Sequence, residues 1–236
     1  MPRTGNAGTV TELYLYPVKS MGGERLASAR LDGDRLHGDR RYAVHHTDGR
    51  LGSGKTSRRF RRTDGLLDFH AGYDGDVPVL TFPGGRMLRA DDPGMDAALA
   101  AELGLPVRLS TERAYSHLDA APIHVLTTAS LRWIAARLPD VPLAVARFRP
   151  NIVVDIDGDE PVEDGWVGRR LRIGGVELAV TGQVERCVMT NAAQPGLPHD
   201  NRVLKTLAAR HDMMLGVYTD VLSPGVISVD DAVEIG

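Results

Sequence analysis

The order of apolar and polar positions predicts a chain built mainly from short β-strands. Residues 9–20 (TVTELYLYPVKS) predict a strand that runs into a turn, and residues 25–31 (RLASARL) alternate between polar and apolar side chains. Segments 77–90 and 171–180 predict hairpins, because each has a Gly-Gly pair between two strand-like runs. Short strands at this spacing are typical of β-barrels rather than of doubly wound sheets.

Three segments predict helices. Residues 95–104 end in Gly104, which suits the left-handed position past a helix end. Residues 123–139 predict a strand and then a helix that begins at a Thr or Ser and ends at Pro139. Residues 202–212 predict the third helix. With so few helices, the expected fold class is mostly β, of the α+β type.

Composition narrows the function classes. The chain has 236 residues, is 42% hydrophobic and 25% charged, and carries a formal net charge of −3. This balance argues against a strongly basic nucleic-acid-binding protein. No run approaches the roughly 18–20 apolar residues of a membrane helix, and the first ten residues lack the apolar core of a signal peptide. We therefore expect a cytoplasmic protein that binds neither nucleic acid nor membrane.

The segment GRLGSGKT, residues Gly49–Thr56, matches the P-loop pattern G-x-x-x-x-G-K-[ST]. A P-loop needs a helix directly after it, but the following SRRFRRTDG has Phe60 as its one large apolar side chain before Gly65. A nucleotide hydrolase is thus the weakest hypothesis. The many cations around Lys55 leave two interpretations open: a solvated charge run, or a site for one phosphate group.

Cys187 is the single cysteine, which excludes an internal disulfide and any site with several cysteine ligands. The neighbouring Arg186 favours the thiolate, the form that ligates metals or attacks electrophiles. The ordinary alternative is a small buried apolar side chain. A distant partner such as His124 or His211 stays possible, so a cysteine hydrolase is left open.

An acidic segment at 155–166 has Asp at alternate positions, as a calcium loop does. Its sixth position is Glu160 instead of Gly, and its twelfth is Trp166 instead of Glu, so an EF-hand is excluded. Trp166 is expected in the core. This segment also offers an ion-pair partner for Arg149.

Six motifs in one order carry a resemblance over nearly the whole chain. They are YPVKS (Tyr16–Ser20), HGDRRY (His37–Tyr42), FRPNIVV (Phe148–Val154), EDGWVG (Glu163–Gly168), ERCVMTN (Glu185–Asn191) and the closing LGVYTDVLSPGVISVDDAV. Together they resemble a MOSC-domain protein preceded by its N-terminal β-barrel domain. That family contains the mitochondrial amidoxime-reducing components, their bacterial relatives and the C-terminal domain of molybdenum cofactor sulfurases. The resemblance implies an N-terminal MOSC β-barrel domain at 1–111 and a MOSC domain at 112–236.

The same resemblance implies a molybdenum cofactor (Mo-molybdopterin) and names its site residues. Cys187 would be the molybdenum ligand and the catalytic residue. Lys19, Ser20 and Lys55 would hold the cofactor phosphate. The remaining cofactor-binding residues would be Asp119, Arg147, Arg149, Asn151, Thr190 and Tyr218.

The implied activity is reduction of small N-hydroxylated substrates such as amidoximes and hydroxylamines. The chain has no ferredoxin cysteines and no flavin fingerprint, so a separate flavin, ferredoxin or cytochrome protein would supply the electrons. The alternative is a carrier that transfers the cofactor, or sulfur held as a persulfide on Cys187. Two departures bear on activity: Asn191-Ala192 stands where many members have Asp-Pro, and Lys55 stands where an arginine is common.

Overall fold

The computed structural model describes residues 5–112 and 116–236. In these two ranges the N-terminal half contains the strands β1 (Gly5–Leu15), β2 (Glu24–Leu26), β3 (Ser28–Leu31), β4 (Tyr42–His46), β5 (Leu51–Ser53), β6 (Phe60–Arg62), β7 (His70–Asp74), β8 (Val77–Thr81), β9 (Met87–Arg89) and β10 (Val107–Thr111). The C-terminal half contains β11 (Ile123–Thr127), β12 (Ile152–Asp155), β13 (Arg170–Ile173), β14 (Val176–Glu185), β15 (Met214–Ser223), β16 (Gly225–Ser228) and β17 (Ala232–Ile235). The helices are α1 (Met95–Leu103), α2 (Thr128–Arg137) and α3 (Arg202–Arg210). Among the described residues, no helix has the length and apolar character needed to cross a membrane.

Seven strands form a closed barrel in the order β12-β11-β15-β14-β13-β17-β1, and β1 pairs back with β12. The closing pair is antiparallel, with Leu13 opposite Ile152 and Val10 opposite Val154. Inward residues follow the period of two that strands impose: in β14, Val176, Leu178 and Val180 are buried and the residues between them are more exposed. The barrel interior is therefore a packed apolar core.

The N-terminal half adds a four-stranded sheet (β10-β4-β5-β6) and a three-stranded sheet (β7-β8-β9). These sheets and α1 enclose a second apolar core that includes Met21, Phe69 and Leu99. Within the described ranges, three strand pairings join the halves: β1 pairs with β12 and with β17 in the barrel, and β3 pairs with β16. The first strand of the chain thus completes the barrel of the C-terminal half. The predicted division between residues 111 and 112 stays a prediction.

The predicted fold class is confirmed: the protein is mostly β with a closed barrel. Both predicted Gly-Gly hairpins form, as β8–β9 and β13–β14. Gly104 ends α1 with φ 64°, and the Thr127 side chain caps α2 by accepting a hydrogen bond from Ser130 N. The strands were expected to be short, but β15 has ten residues and pairs with β14 across several register shifts.

The P-loop match has no helix behind it. Lys55 lies between β5 and β6, which pair in parallel, and the next α-helix begins at Met95. The loop geometry agrees with the sequence argument against nucleotide hydrolysis.

Candidate functional site

One cleft lies where the end of the barrel meets the turn after β1 and the loop between β5 and β6. Its lining includes all ten residues that the sequence predicts for the site: Lys19, Ser20, Lys55, Asp119, Arg147, Arg149, Asn151, Cys187, Thr190 and Tyr218. They come from segments up to two hundred residues apart, so the fold brings together what the sequence keeps separate.

The turn after β1 and the loop between β5 and β6 form one side of the cleft, the N-terminal wall. Lys19 is the most enclosed cation of this wall, with 2% of its side chain exposed. Its Nζ donates to His117 O at 2.8 Å and lies 3.1 Å from Asp119 Oδ1. Burial lowers the pKa of Lys19 to about 8, although Asp119 opposes that shift. A buried ammonium of this kind favours any additional negative charge beside it.

Lys55 reaches the same carboxylate from the other side, with Nζ 3.6 Å from Asp119 Oδ1. Both lysines lie over the ring of Phe60, at 4.6 Å (Lys19) and 5.1 Å (Lys55) from its centroid. Burial opposes ionisation of Asp119, but the charges of the two lysines hold its pKa at about 2. The N-terminal wall is thus an ion-pair cluster bridged by one carboxylate.

The backbone at this wall is tightly specified. Ser20 adopts φ 64°, a left-handed conformation that is uncommon for a residue with a side chain. A side chain at Gly54 would require Met189 to move, since a Cβ there would lie 2.0 Å from Met189 Sδ. The loop that carries Lys55 therefore rests directly on the turn that follows Cys187.

Cys187 is half-buried and directly precedes a 3₁₀ turn at Val188–Asn191. That turn closes on its carbonyl: Thr190 Oγ1 donates to Cys187 O at 2.8 Å, and Thr190 N donates to the same oxygen at 3.0 Å. Thr190 thereby fixes the main chain at Cys187.

Arg147 lies behind this turn with 1% of its side chain exposed. Its guanidinium donates to four main-chain carbonyls, those of Pro142 (3.0 Å), Thr190 (3.4 Å), Ala192 (3.4 Å) and Pro198 (2.7 Å). Most of its five N–H donors are therefore occupied by the protein itself. The contacts indicate a clamp on residues 190–198, and its predicted role in cofactor binding stays a prediction.

Arg149 is held differently. Its φ is 53°, its Nη1 donates to Met21 O at 2.6 Å, and its guanidinium lies 4.2 Å from the centroid of the Tyr16 ring. Burial lowers the pKa of Arg149 to about 10. Its Nη2 is buried without a hydrogen-bond partner in the described part of the chain. These contacts lead to the turn after β1 and not to the acidic loop.

Asn151 and Tyr218 line the barrel end of the cleft. The Asn151 side chain is used within the barrel, accepting from His124 N at 3.2 Å and donating to Tyr14 O at 3.3 Å. Burial raises the pKa of Tyr218, whose ring packs edge-on against His124 at 6.3 Å. Burial, followed by the charge of Arg186, lowers the pKa of His124 well below its ordinary value, so this ring is neutral at pH 7.

Several lining residues were not predicted as site residues: Arg40, Ser53, Ala121, His124, Phe148, Val184, Glu185, Arg186 and Met189. Arg40 lies over the Tyr16 ring at 5.0 Å and pairs with the buried Asp39. The sequence feature that could have identified Arg40 as a site residue is its position in the HGDRRY motif. His211, a possible partner for Cys187 from sequence, instead pairs with Asp164 at 2.7 Å.

The acidic loop at residues 155–166 contributes side chains to the barrel core and to the start of α2. Glu163 is fully buried and accepts from Ser130 Oγ at 2.6 Å and Thr127 Oγ1 at 2.7 Å at the start of α2. Trp166 is 4% exposed and packs in the barrel core, as expected. Among the described residues, no three His, Cys, Asp or Glu side chains form a metal-binding group.

The lining has a strong excess of positive charge. Its basic side chains are Lys19, Arg40, Lys55, Arg147, Arg149 and Arg186, and its acidic ones are Asp119 and Glu185. Such an excess in a partly buried cleft favours an anionic ligand. The class of the protein follows: a β-rich protein with a cationic cleft, containing one thiol, at the end of a closed barrel.

Comparison with known families agrees. Residues 7–111 match the MOSC N-terminal beta barrel domain, and residues 112–234 match the MOSC domain. The chain belongs to the MOSC-domain family.

Its relatives include mitochondrial amidoxime-reducing component 1 of Mus musculus, 26% identical over 98% of this chain and 83% of the relative. Mitochondrial amidoxime reducing component 2 of Bos taurus is 25% identical over 98% of this chain and 84% of that protein. Among solved structures, the YUAD protein from Bacillus subtilis superposes with a TM-score of 0.56 at 15% identity, over 100% of this chain and 98% of the other. The last likeness concerns the fold.

Proposed function

We propose that the protein is a molybdenum-cofactor-dependent reductase of N-hydroxylated compounds. The observation that carries the proposal is the convergence of one cysteine and six basic side chains in a single cleft. Relatives named as amidoxime-reducing components, at 25–26% identity, suggest the substrate class.

The residues present fit a molybdopterin cofactor. Its phosphate is anionic, and the N-terminal wall offers Lys19 and Lys55 within 3.6 Å of one position of negative charge. Arg149 Nη2 and Arg186 Nε are buried and, within the described residues, have no hydrogen-bond partner. Buried donors are rarely left unpaired, so these two support a polar ligand in the cleft.

Each wall would have its own task. Lys19, Ser20 and Lys55 would hold the phosphate, and Arg149 would contact the cofactor from the barrel side. Cys187 would supply a thiolate ligand, a soft donor suited to molybdenum. When bound, the cofactor would supply two-electron redox chemistry, while the protein orients it and limits access.

The overall reaction would convert an amidoxime, two electrons and two protons into an amidine and water. A separate redox protein would supply the electrons. Asn191, which stands where many family members have aspartate, uses its side-chain oxygen to accept from Leu204 N at 3.0 Å. Its carboxamide therefore stabilises the start of α3, and proton delivery would depend on other groups.

The test is turnover of benzamidoxime with a chemically reduced dye, using protein from a host that makes the cofactor. We expect benzamidine from the wild type, none from Cys187→Ser, and an unchanged rate from Lys205→Met, an exposed control on α3. A wild type that holds pterin or sulfane sulfur but never turns over would overturn the reductase proposal and favour the carrier.

A further inference from the structure

The carboxylate of Asp119 takes the position between two lysines that a ligand phosphate would need. Its Oδ1 is 3.1 Å from Lys19 Nζ and 3.6 Å from Lys55 Nζ. The Asp119 side chain is 48% exposed, whereas that of Lys19 is 2% exposed. The carboxylate therefore covers a buried ammonium from the solvent side of the cleft.

The main chain around Asp119 is anchored without help from the carboxylate. Arg59 donates to the carbonyls of Ser116 (2.5 Å), Leu118 (3.0 Å) and Asp119 (3.4 Å). Lys19 also donates to His117 O. Because these bonds hold the loop, the Asp119 side chain can rotate to another rotamer while the backbone stays in place.

Lys19 needs a negative neighbour whether or not a ligand is bound. Burial lowers its pKa to about 8, and Asp119 is the first of the groups that oppose this shift. Arg40 and Lys55 also face Lys19 and favour its neutral form. Without a counter-ion, the like charges would favour loss of the Lys19 proton.

We propose that Asp119 is a resident counter-ion, exchanged for the phosphate group of the ligand, and that this exchange selects dianionic groups over monoanions. The inference rests on the proposed function only in that the ligand carries a phosphate. A phosphate brings a charge of about −1.5 to −2 and three acceptor oxygens, enough to satisfy both ammonium groups after the carboxylate turns away. A monoanion such as acetate brings no more charge than Asp119 and gains nothing by replacing it.

The experiment is isothermal titration of the full-length chain, prepared without cofactor, with inorganic phosphate and with sodium acetate. We expect the wild type to bind phosphate and not acetate. Asp119→Asn should bind phosphate about three- to tenfold more tightly, the range expected when two partly exposed ion pairs no longer compete, and should bind acetate measurably. The matched control is Asp64→Asn, since Asp64 pairs with Arg62 at 2.7 Å and is 77% exposed outside the cleft.

Unchanged or weaker phosphate binding by Asp119→Asn would overturn the inference, because Asp119 would then be irrelevant to the ligand or would support it. Absence of phosphate binding in every variant would overturn it as well. Asp119→Ser serves as the second variant, and thermal melts check that each protein is folded. These readouts need neither molybdenum nor turnover, so the inference can stand even where a wild type without benzamidoxime turnover shows that the proposed reductase activity is wrong.

Discussion

The lysines on the N-terminal wall of the cleft and Arg147 on its barrel side have different kinds of hydrogen-bonding partner. On the N-terminal wall, Lys19 and Lys55 pair with one half-exposed carboxylate, which a ligand can replace. On the barrel wall, Arg147 is surrounded by four main-chain carbonyls, which no ligand can replace. The same charge therefore serves exchange at Lys19 and Lys55 and rigidity at Arg147. Proximity to a site does not by itself make a cation a ligand-binding residue.

The largest expected effect is on stability, and it separates Arg147 from the ligand-facing Arg149 beside it. We expect Arg147→Met to lower the free energy of unfolding by about 3 kcal/mol or more, because four main-chain carbonyls, in one buried and three part-buried hydrogen bonds, lose a charged donor. Arg149→Met, which loses one such bond to Met21, should cost about 1–2 kcal/mol. Urea unfolding of both variants measures the difference. Equal losses would contradict the division between clamp and binding residue.

The next effect is on binding. Lys19→Met should weaken inorganic phosphate binding about 10- to 100-fold, the worth of a charge-assisted contact, and should cost at most about 1–2 kcal/mol of stability, because His117 O loses its donor. Removal of the buried ammonium offsets part of that cost, since burial already disfavours the charged form of Lys19. Calorimetry on this variant and on the exposed control Lys205→Met measures both quantities. Phosphate affinity unchanged by Lys19→Met would remove the N-terminal wall from the site.

The contact between the walls can also be broken. A methyl group at Gly54 would meet Met189 Sδ at 2.0 Å, so the flexible Met189 side chain would have to move, and Gly54→Ala should destabilise the protein by at most about 1 kcal/mol. Adding Met189→Ala should recover part of the loss, because it makes room for the methyl group. Urea unfolding of the two single variants and the double variant measures the coupling free energy between Gly54 and Met189. Additive effects would show that the two loops do not depend on each other.

The smallest effect is on pH dependence. Lys19, with a pKa of about 8, is an ammonium below that pH and a neutral amine above it. Phosphate affinity should therefore fall as pH rises through about 8 and beyond, by at most about tenfold per pH unit. In the phosphate-bound protein the midpoint of the Lys19 titration should lie higher, because the bound anion favours the ammonium. Lys19→Met should lack this decline. A wild-type profile that stays flat to pH 10 would show that the Lys19 charge does not contribute.

Local patterns predicted much of the fold, because turn glycines, helix caps and alternating strands act over a few residues. The Gly174-Gly175 hairpin and the Gly104 helix end are examples. The place of β1 in the barrel was not predictable in this way, since its partners β12 and β17 lie more than 130 residues away.

The candidate site, like the fold, could be predicted from the sequence only in part. The resemblance selected ten residues that line one cleft, but their roles in binding stay predictions. The bridge from Asp119 to Lys19 and Lys55 depends on tertiary distances, as does the occupation of Arg147 by carbonyls. Arg40 escaped selection because its contact with Tyr16 appears only when the two segments fold against each other.

The most direct test is the molybdenum and pterin content of the wild type, Cys187→Ser and Lys19→Met, each purified from a host that makes the cofactor. The prediction is about one molybdenum per wild-type chain, loss or an altered metal spectrum in Cys187→Ser, and reduced pterin together with molybdenum in Lys19→Met. A wild type with neither molybdenum nor pterin, even when offered the cofactor in vitro, would contradict it.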